Sequence, residues 1–342
     1  MSSLMQKSRG TKRVTMRDIA NRTGFTINTV SHALKNMPDI SEGTRLKIHE
    51  AAKELGYVRN TMASALRSGR SHTIAVIIGD LGNPKFAVMV NDIEAAAREY
   101  QYSVIILCTH ESLDLEEKAI KTALERQVDG IIINPTQLND RCVSQLRLAG
   151  IPFVLIERFF EQHDVDCVVC DEEEGGYLAG RHLLDMGHRR LIHFSGPPYV
   201  STSAARKAGF LRAAQHLPKK DVIVLPHGEA KDNIKALRKH YAQGFTGCFC
   251  YLDLGVWDII ATLQASDPEF LGKMAFVGYD NIQGKFSFPS PICSIDPSSS
   301  ALCHATVDLL HRRIMGEETP PQKIVFPVRL VCRKSCLPER AL

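Results

Sequence analysis

Two successive series of short apolar runs, each followed by a helical stretch, constrain this chain more than any other feature. TIAVIIGD, YSVIILC, DGIIINP, FVLIER and DCVVCD form the first series; RLIHFSG, DVIVLP, GCFCYLD, KMAFVGYD and PICSID form the second. The segments between them include VMVNDIEAAAREYQ and DLEEKAIKTALERQ, with apolar residues at helical spacing. Apolar strands alternating with helices produce parallel sheets covered on both faces. Two such series predict an α/β body of two doubly wound lobes with a cleft between them. The body is expected over 73–342. A chain of 342 residues has room for this body and one small additional domain.

Ligands of doubly wound sheets bind beyond the carboxyl ends of the strands. Polar residues there are the candidate contacts: Asn134 after DGIII, Glu157 after FVLI, Asp253 after CFCYL and Asp280 after AFVGY. Arg206 stands in the helix start STSAARKAGF, after the SGPP turn. Carboxylates, an amide and a guanidinium suit the hydroxyls of a polyol or sugar. A loop or capping role explains any one of them equally well; their shared placement favours a site.

Charge is distributed unevenly. Residues 1–73 hold 13 Lys and Arg against 5 Asp and Glu, a balance of +8, while the remainder carries 29 against 33, a balance of −4. A basic module on a mildly acidic body suits a polyanionic partner. Within it, Thr15 and Asp18 fit a capping box opening a first helix that ends near Thr23, with a turn at Gly24. Thr26 caps a second helix, INTVSHALKN, in which Val30, Ala33 and Leu34 share one face. Ser41 caps a third, in which Ile48, Ala51, Ala52 and Leu55 repeat at helical spacing before Gly56. Three short helices with a glycine turn between the first two match a helix-turn-helix; a plain helical bundle has the same spacing.

The stretch VTMRDIANRTGFTINTVSHALKN…ISEGTRLKIHEAAKELGY resolves that ambiguity, because it resembles without gaps the headpiece of the lactose-repressor (LacI/GalR-type) family. VRNTMASALRSGR is similar to that family's hinge helix, and GDLGNPKF, VDGIIINP, GIPFVLIER, AARKAGFLRAA and FVGYDN to its periplasmic-binding-protein-like effector domain. The resemblance implies a headpiece at 1–58, a hinge helix and linker at 59–72, and an effector-binding core at 73–342, with one lobe built from about 73–170 and 297–323 and the other from about 171–296 and 324–342. It implies base reading by Ile27, Asn28 and His32, the last departing from the family's usual Arg. Thr26, Thr29 and Ser31 suit phosphate contacts, and Thr15, Asn60 and Ser64 complete the expected DNA-facing set. Leu66 is the expected minor-groove wedge, where an apolar side chain trades base unstacking for a bent duplex. The MASALR helix is too short to be stable alone.

In the core, the resemblance places ligand contacts at Lys85, Phe86, Asn134, Glu157, Thr202, Arg206, Asp253 and Asp280. The implied function is a repressor whose affinity for pseudo-palindromic double-stranded operator DNA is set by a small-molecule effector, a sugar or sugar derivative. The cations Lys85 and Arg206 suggest an anionic sugar as one form of that effector. The paired hinges imply a homodimer, and the tail CRKSCLPERAL lacks the apolar heptads of a tetramer.

Other classes are disfavoured. No apolar run reaches the ~18 residues of a membrane span, and the polar, basic start MSSLMQKSRGTKR has no signal-peptide core. A cytoplasmic protein is expected, not an exported solute receptor. No Gly-rich phosphate loop or nucleophile elbow supports an enzyme. The ten cysteines are scattered, and the single C-x-x-C, Cys167 to Cys170, lacks the second pair a zinc site needs. Neither a metal nor a cofactor is expected.

Overall fold

The computed structural model describes residues 14–58, 69–286, 291–333, 335 and 336. The chain divides into two compact units, Met1–Gly69 and Arg70–Leu342.

Among its described residues the first unit has three helices: α1 (Met16–Thr23), α2 (Ile27–Leu34) and α3 (Glu42–Glu54). The Asp18 carboxylate accepts from the amide and the hydroxyl of Thr15, both at 2.8 Å, which starts α1 as the capping-box spacing predicts. Gly24 ends it at φ 77°, a left-handed conformation that an L side chain rarely adopts. Ile19, Val30, Ala33 and Ile48 are completely buried, and Leu34 and Leu55 pack partly buried at the edge of this small core.

The second unit contains two sheets of six strands. The first has the order β11-β5-β4-β3-β1-β2, built from β1 (Thr73–Ile78), β2 (Ser103–Cys108), β3 (Gly130–Ile133), β4 (Phe153–Ile156), β5 (Cys167–Cys170) and β11 (Lys323–Phe326). The second has the order β12-β10-β9-β8-β6-β7, from β6 (Leu191–Ser195), β7 (Val222–Pro226), β8 (Gly247–Cys250), β9 (Ala275–Tyr279), β10 (Cys293–Asp296) and β12 (Arg329–Val331). Central strands such as β3 and β8 are buried throughout. They therefore read as continuous apolar runs rather than alternating ones. Helices that matter below are α4 (Pro84–Glu99), α7 (Glu172–Asp185), α8 (Ser201–Ala213), α10 (Asp253–Ser266) and α12 (Ser299–Ile314).

Three details differ from the sequence expectation. Residues 70–72 belong to the body rather than to a linker: Asp129 accepts from the amides of Ser71 and His72 at 2.6 and 2.8 Å, and Arg70 donates to the Ile314 carbonyl. The last crossing between lobes falls after Phe326, not at 323, because all of β11 pairs with β5 in the first sheet. The second sheet is not wholly parallel, since β12 runs antiparallel to β10. Two residues, Pro327 and Val328, carry the chain from β11 in the first sheet to β12 in the second. Among the described residues, no helix is long and apolar enough to cross a membrane.

Helices α7 and α8 approach backbone to backbone. A Cβ on Gly176 would stand 1.9 Å from the Arg206 carbonyl oxygen, and one on Gly209 would stand 1.8 Å from that of Glu173. Only glycine permits this approach, which brings the Arg206 backbone against α7.

Candidate nucleic-acid surface and interlobe cleft

Helix α2 presents its first turn to solvent. Thr26 caps it, with Oγ1 accepting from the Thr29 amide at 3.1 Å and lying 2.9 Å from the Thr29 hydroxyl. Ile27 is 43% exposed, a large apolar side chain displayed where burial was available to Val30 next along the helix. Asn28 is exposed beside it, and Ser31 is half-buried. His32 is held in place: its Nδ1 lies 2.6 Å from Asp39 Oδ2, across the turn that follows the helix. The Thr15 hydroxyl is occupied by Asp18 in the cap of α1. Asn60, Ser64 and Leu66, the expected hinge contacts, lie outside the described residues.

In the second unit, the ends of three strands and the starts of two helices bring charged groups together between the lobes. Lys85, in the first turn of α4, places Nζ 3.0 Å from Glu157 Oε1 and 3.2 Å from Asp280 Oδ1. Glu157 follows β4 in the first lobe, and Asp280 follows β9 in the second, so this ammonium bridges both. Arg206 on α8 pairs through Nε with Glu172 at 2.6 Å and lies 3.7 Å from the same Asp280 oxygen. Its guanidinium is over the Tyr279 ring, 3.5 Å from the centroid, and donates to the Tyr251 carbonyl. Asn134, after β3, donates to the Ile156 carbonyl at 3.1 Å and to Glu157 at 3.4 Å. Its Oδ1 is buried with no hydrogen-bond partner among the described residues.

Glu157 and Asp280 adopt φ of 64° and 100°. Two non-glycine residues in the left-handed region, both at strand ends and both in one ion network, mark a place where backbone strain is tolerated to aim side chains. Burial disfavours the charge of Lys85, but Asp280 and Glu157 outweigh it and hold its pKa above the ordinary ammonium value. Burial likewise opposes the charge of Arg206, and Glu172, Tyr279 and Asp280 more than restore it. Burial raises the Glu157 pKa, with Lys85 pulling the other way. Beside the network opens a cavity of about 490 Å³, bordered by Lys85, Val88, Asp280, Asn281, Pro297 and Ser299. That volume is in the range of small-molecule sites.

Lys85, Asn134, Glu157, Arg206 and Asp280 therefore form one connected cluster. Thr202 lies buried one turn before Arg206 on α8. Phe86 is buried rather than offered as an open wall; its ring packs near Gly79, with the Lys85 ammonium 6.0 Å from the ring centroid. Asp253 is placed behind the cleft. Its Oδ1 accepts from Ser294 Oγ at 2.7 Å and its Oδ2 from the Ile282 amide at 2.9 Å, so it ties β10 to the loop after β9. Burial, and after it Asp280, pushes its pKa up to about 8. The expected anionic effector also loses its basis, because Lys85 and Arg206 are already paired with Glu157, Glu172 and Asp280.

Two residues that pair with the cluster or join the lobes escaped the sequence reading. Glu172 stands in an acidic first helical turn, where a favourable helix dipole explains it without a site. Gln137 links the lobes by donating to the Phe159 carbonyl at 2.7 Å and accepting from the Ser201 amide at 2.8 Å; nothing local in the sequence signals it.

Comparison with known proteins agrees with both halves of this geometry. Residues 15–60 match bacterial regulatory proteins of the lacI family, and residues 71–334 match periplasmic binding proteins and the sugar binding domain of the LacI family. The chain is 27% identical to the HTH-type transcriptional repressor PurR of Proteus mirabilis over 94% of this chain and 96% of that protein. The lac repressor dimer bound to operator and an anti-inducer shares its fold with a TM-score of 0.81 at 23% identity, covering 96% of this chain and 100% of that one. A LacI family regulator from Enterococcus faecium with bound ribose superimposes with a TM-score of 0.68 at 25% identity, covering 78% of this chain and 99% of that one. A helix-turn-helix unit followed by two doubly wound lobes, matched in this way over nearly the whole chain, makes this protein a member of the LacI family of bacterial regulatory proteins.

Proposed function

We propose that this chain is a homodimeric, sequence-specific transcriptional repressor whose operator affinity is set by a small neutral, hydroxyl-bearing effector, a sugar or sugar derivative, bound between its lobes. Its role is binding, with no turnover. The observation that carries the effector half is the ion network that joins the two lobes through Lys85. A ligand that exchanges hydroxyls for these ion pairs changes the relative energy of lobe orientations. The buried, unsatisfied Asn134 Oδ1 accepts from such a hydroxyl, and an orphaned buried acceptor is costly until it does. A counter-anion finds no unpaired cation in this cluster, which favours a neutral ligand.

The exposed first turn of α2 supports the DNA half. Asn28 has the amide that pairs with adenine in the major groove, and Ile27 the apolar surface for a thymine methyl. Two headpieces in a dimer read half-sites about one helical turn apart. Effector and operator are then linked by about 1–3 kcal/mol, and each shifts the affinity of the other by the same factor.

Selection of random duplexes by the full-length chain tests the first half. The expected product is a two-fold symmetric site whose affinity falls steeply with salt; an unsymmetrical or unselective result refutes it. A calorimetric panel of neutral sugars against sugar phosphates tests the second half, and preferential binding of the phosphates overturns the neutral assignment.

A further inference from the structure

The ligand cleft does not account for a second cluster on the far side of the second lobe. His182 on α7, Cys293 at the start of β10 and Cys336 after β12 are all buried, and their ligand atoms lie within 4.8 Å of one another. The His182 Nε2 is buried with no hydrogen-bond partner among the described residues. A fourth thiol stands at the edge of this group: Cys332 Sγ is 3.6 Å from Cys293 Sγ, outside the set of three whose atoms all lie within 4.8 Å of one another. The register of the antiparallel pair explains this contact. Ser294 opposes Val331, so one step outward Cys293 opposes Cys332. Three residues further on, Ser335 accepts from the Cys293 amide at 2.7 Å and donates to the Phe276 carbonyl at 2.8 Å, which seats Cys336 against the same strands.

We propose that His182, Cys293, Cys332 and Cys336 form a Cys3His site for a soft divalent cation, with Zn2+ the ion of best fit. Three thiolates and an imidazole are a closed structural donor set for zinc. Zn–S bonds of about 2.3 Å put sulfurs ~3.8 Å apart in a tetrahedral site; the Cys293–Cys332 pair, at 3.6 Å, already has that spacing, and the other donors lie within 4.8 Å of Cys293. A disulfide requires about 2.05 Å. The Arg333 amide donates to Cys293 Sγ at 3.3 Å, the kind of outer hydrogen bond that orients a thiolate ligand. Cys332 is exposed while the other three are buried, which provides an entry side for the ion. Two of the donors come from separate elements of the lobe and two from the segment after β12. The ion therefore clips this last described segment onto α7 and β10. Spacing in the sequence conceals the site, because C-x3-C is paired with a His and a Cys that are remote along the chain.

The test uses the full-length chain, purified under reducing conditions, stripped by a chelator and titrated with Co2+ and then Zn2+. The expected result is one cobalt per chain, tetrahedral d–d absorption, a thiolate-to-cobalt charge-transfer band, and displacement of cobalt by zinc. The C332S variant, altered at the exposed position and checked for native circular dichroism, is expected to lose about a third of the charge-transfer intensity. H182N is expected to keep that band while its d–d envelope shifts. C142S, at a buried thiol elsewhere, is expected to behave as wild type. Octahedral cobalt spectra, a tetrahedral spectrum unchanged in both C332S and C293S, or a mapped Cys293–Cys332 disulfide in the freshly reduced protein would each overturn the proposal.

Discussion

The Lys85 ammonium lies 3.2 Å from Asp280, so a side chain of the first lobe neutralises a buried carboxylate of the second. Glu157 shares the same ammonium at 3.0 Å. Each lobe contributes an acid that is buried, and one cation serves both.

Replacing Lys85 with Met removes the cation that Glu157 and Asp280 share and leaves Asp280 only the more distant Arg206, at 3.7 Å. Breaking a buried ion pair from one side costs about 3–5 kcal/mol. The K85M variant should lose close to this amount in urea denaturation. Adding Asp280→Asn should recover a substantial part, because the orphaned charge is then gone. Additive losses in the double variant would show that the two residues are not coupled.

Asp253 predicts a pH dependence of definite sign. Its folded pKa is about 8, against an unfolded carboxylate value of about 3.9. The folded state therefore holds the proton that the unfolded state releases. This contribution is complete below about pH 4 and is lost as pH rises through about 8. Relative to D253N, which cannot titrate, the wild type should weaken by about 1.4 kcal/mol per pH unit within that window. Parallel stability curves for the two proteins between pH 5 and 8 would disprove the assignment.

Helices α7 and α8 should not tolerate a methyl group at their crossing. Gly176→Ala and Gly209→Ala each drive a Cβ into a backbone oxygen, with no flexible side chain to yield. Overpacking typically costs about 1–3 kcal/mol, and the backbone contact places these two at or above the upper end. The same shift moves Arg206 away from Glu172. Weaker binding of the effector proposed above should therefore accompany the lower melting temperature, measured by calorimetry.

On the headpiece, Asn28→Ala should cost about 1–3 kcal/mol on selected operator DNA and little on random duplex. Asp39→Ala removes the partner of His32 at 2.6 Å, freeing the imidazole to reorient. It should change the preferred base at one position per half-site with the helical fold intact. An unchanged selected sequence would place His32 outside the readout.

Much of this molecule was legible in one dimension. The order of strands β1 to β10, the caps at Thr15, Thr26 and Ser41, and the strand-end positions of Asn134, Glu157 and Asp280 all depend on local rules. Periodicity, capping and strand termination act over a few residues, so the chain records them directly. Edge strand β11 was missed because it alternates exposed and half-buried positions over only four residues.

What remained hidden depended on direction and on distant partners. Asp253 and Asp280 both stand near strand ends, yet Ser294 and the Ile282 amide turn the first into a loop brace, while Lys85 draws the second into the cleft. Glu172 stands in an acidic helix start, and its partner Arg206 comes from 34 residues away. His182, Cys293 and Cys336 became neighbours through the packing of α7 on β10 and the return of the chain past β12. A residue's type and its place on an element follow from nearby chain chemistry. Which group a buried side chain meets follows from how whole elements pack, and that packing is set by apolar burial spread over the entire lobe.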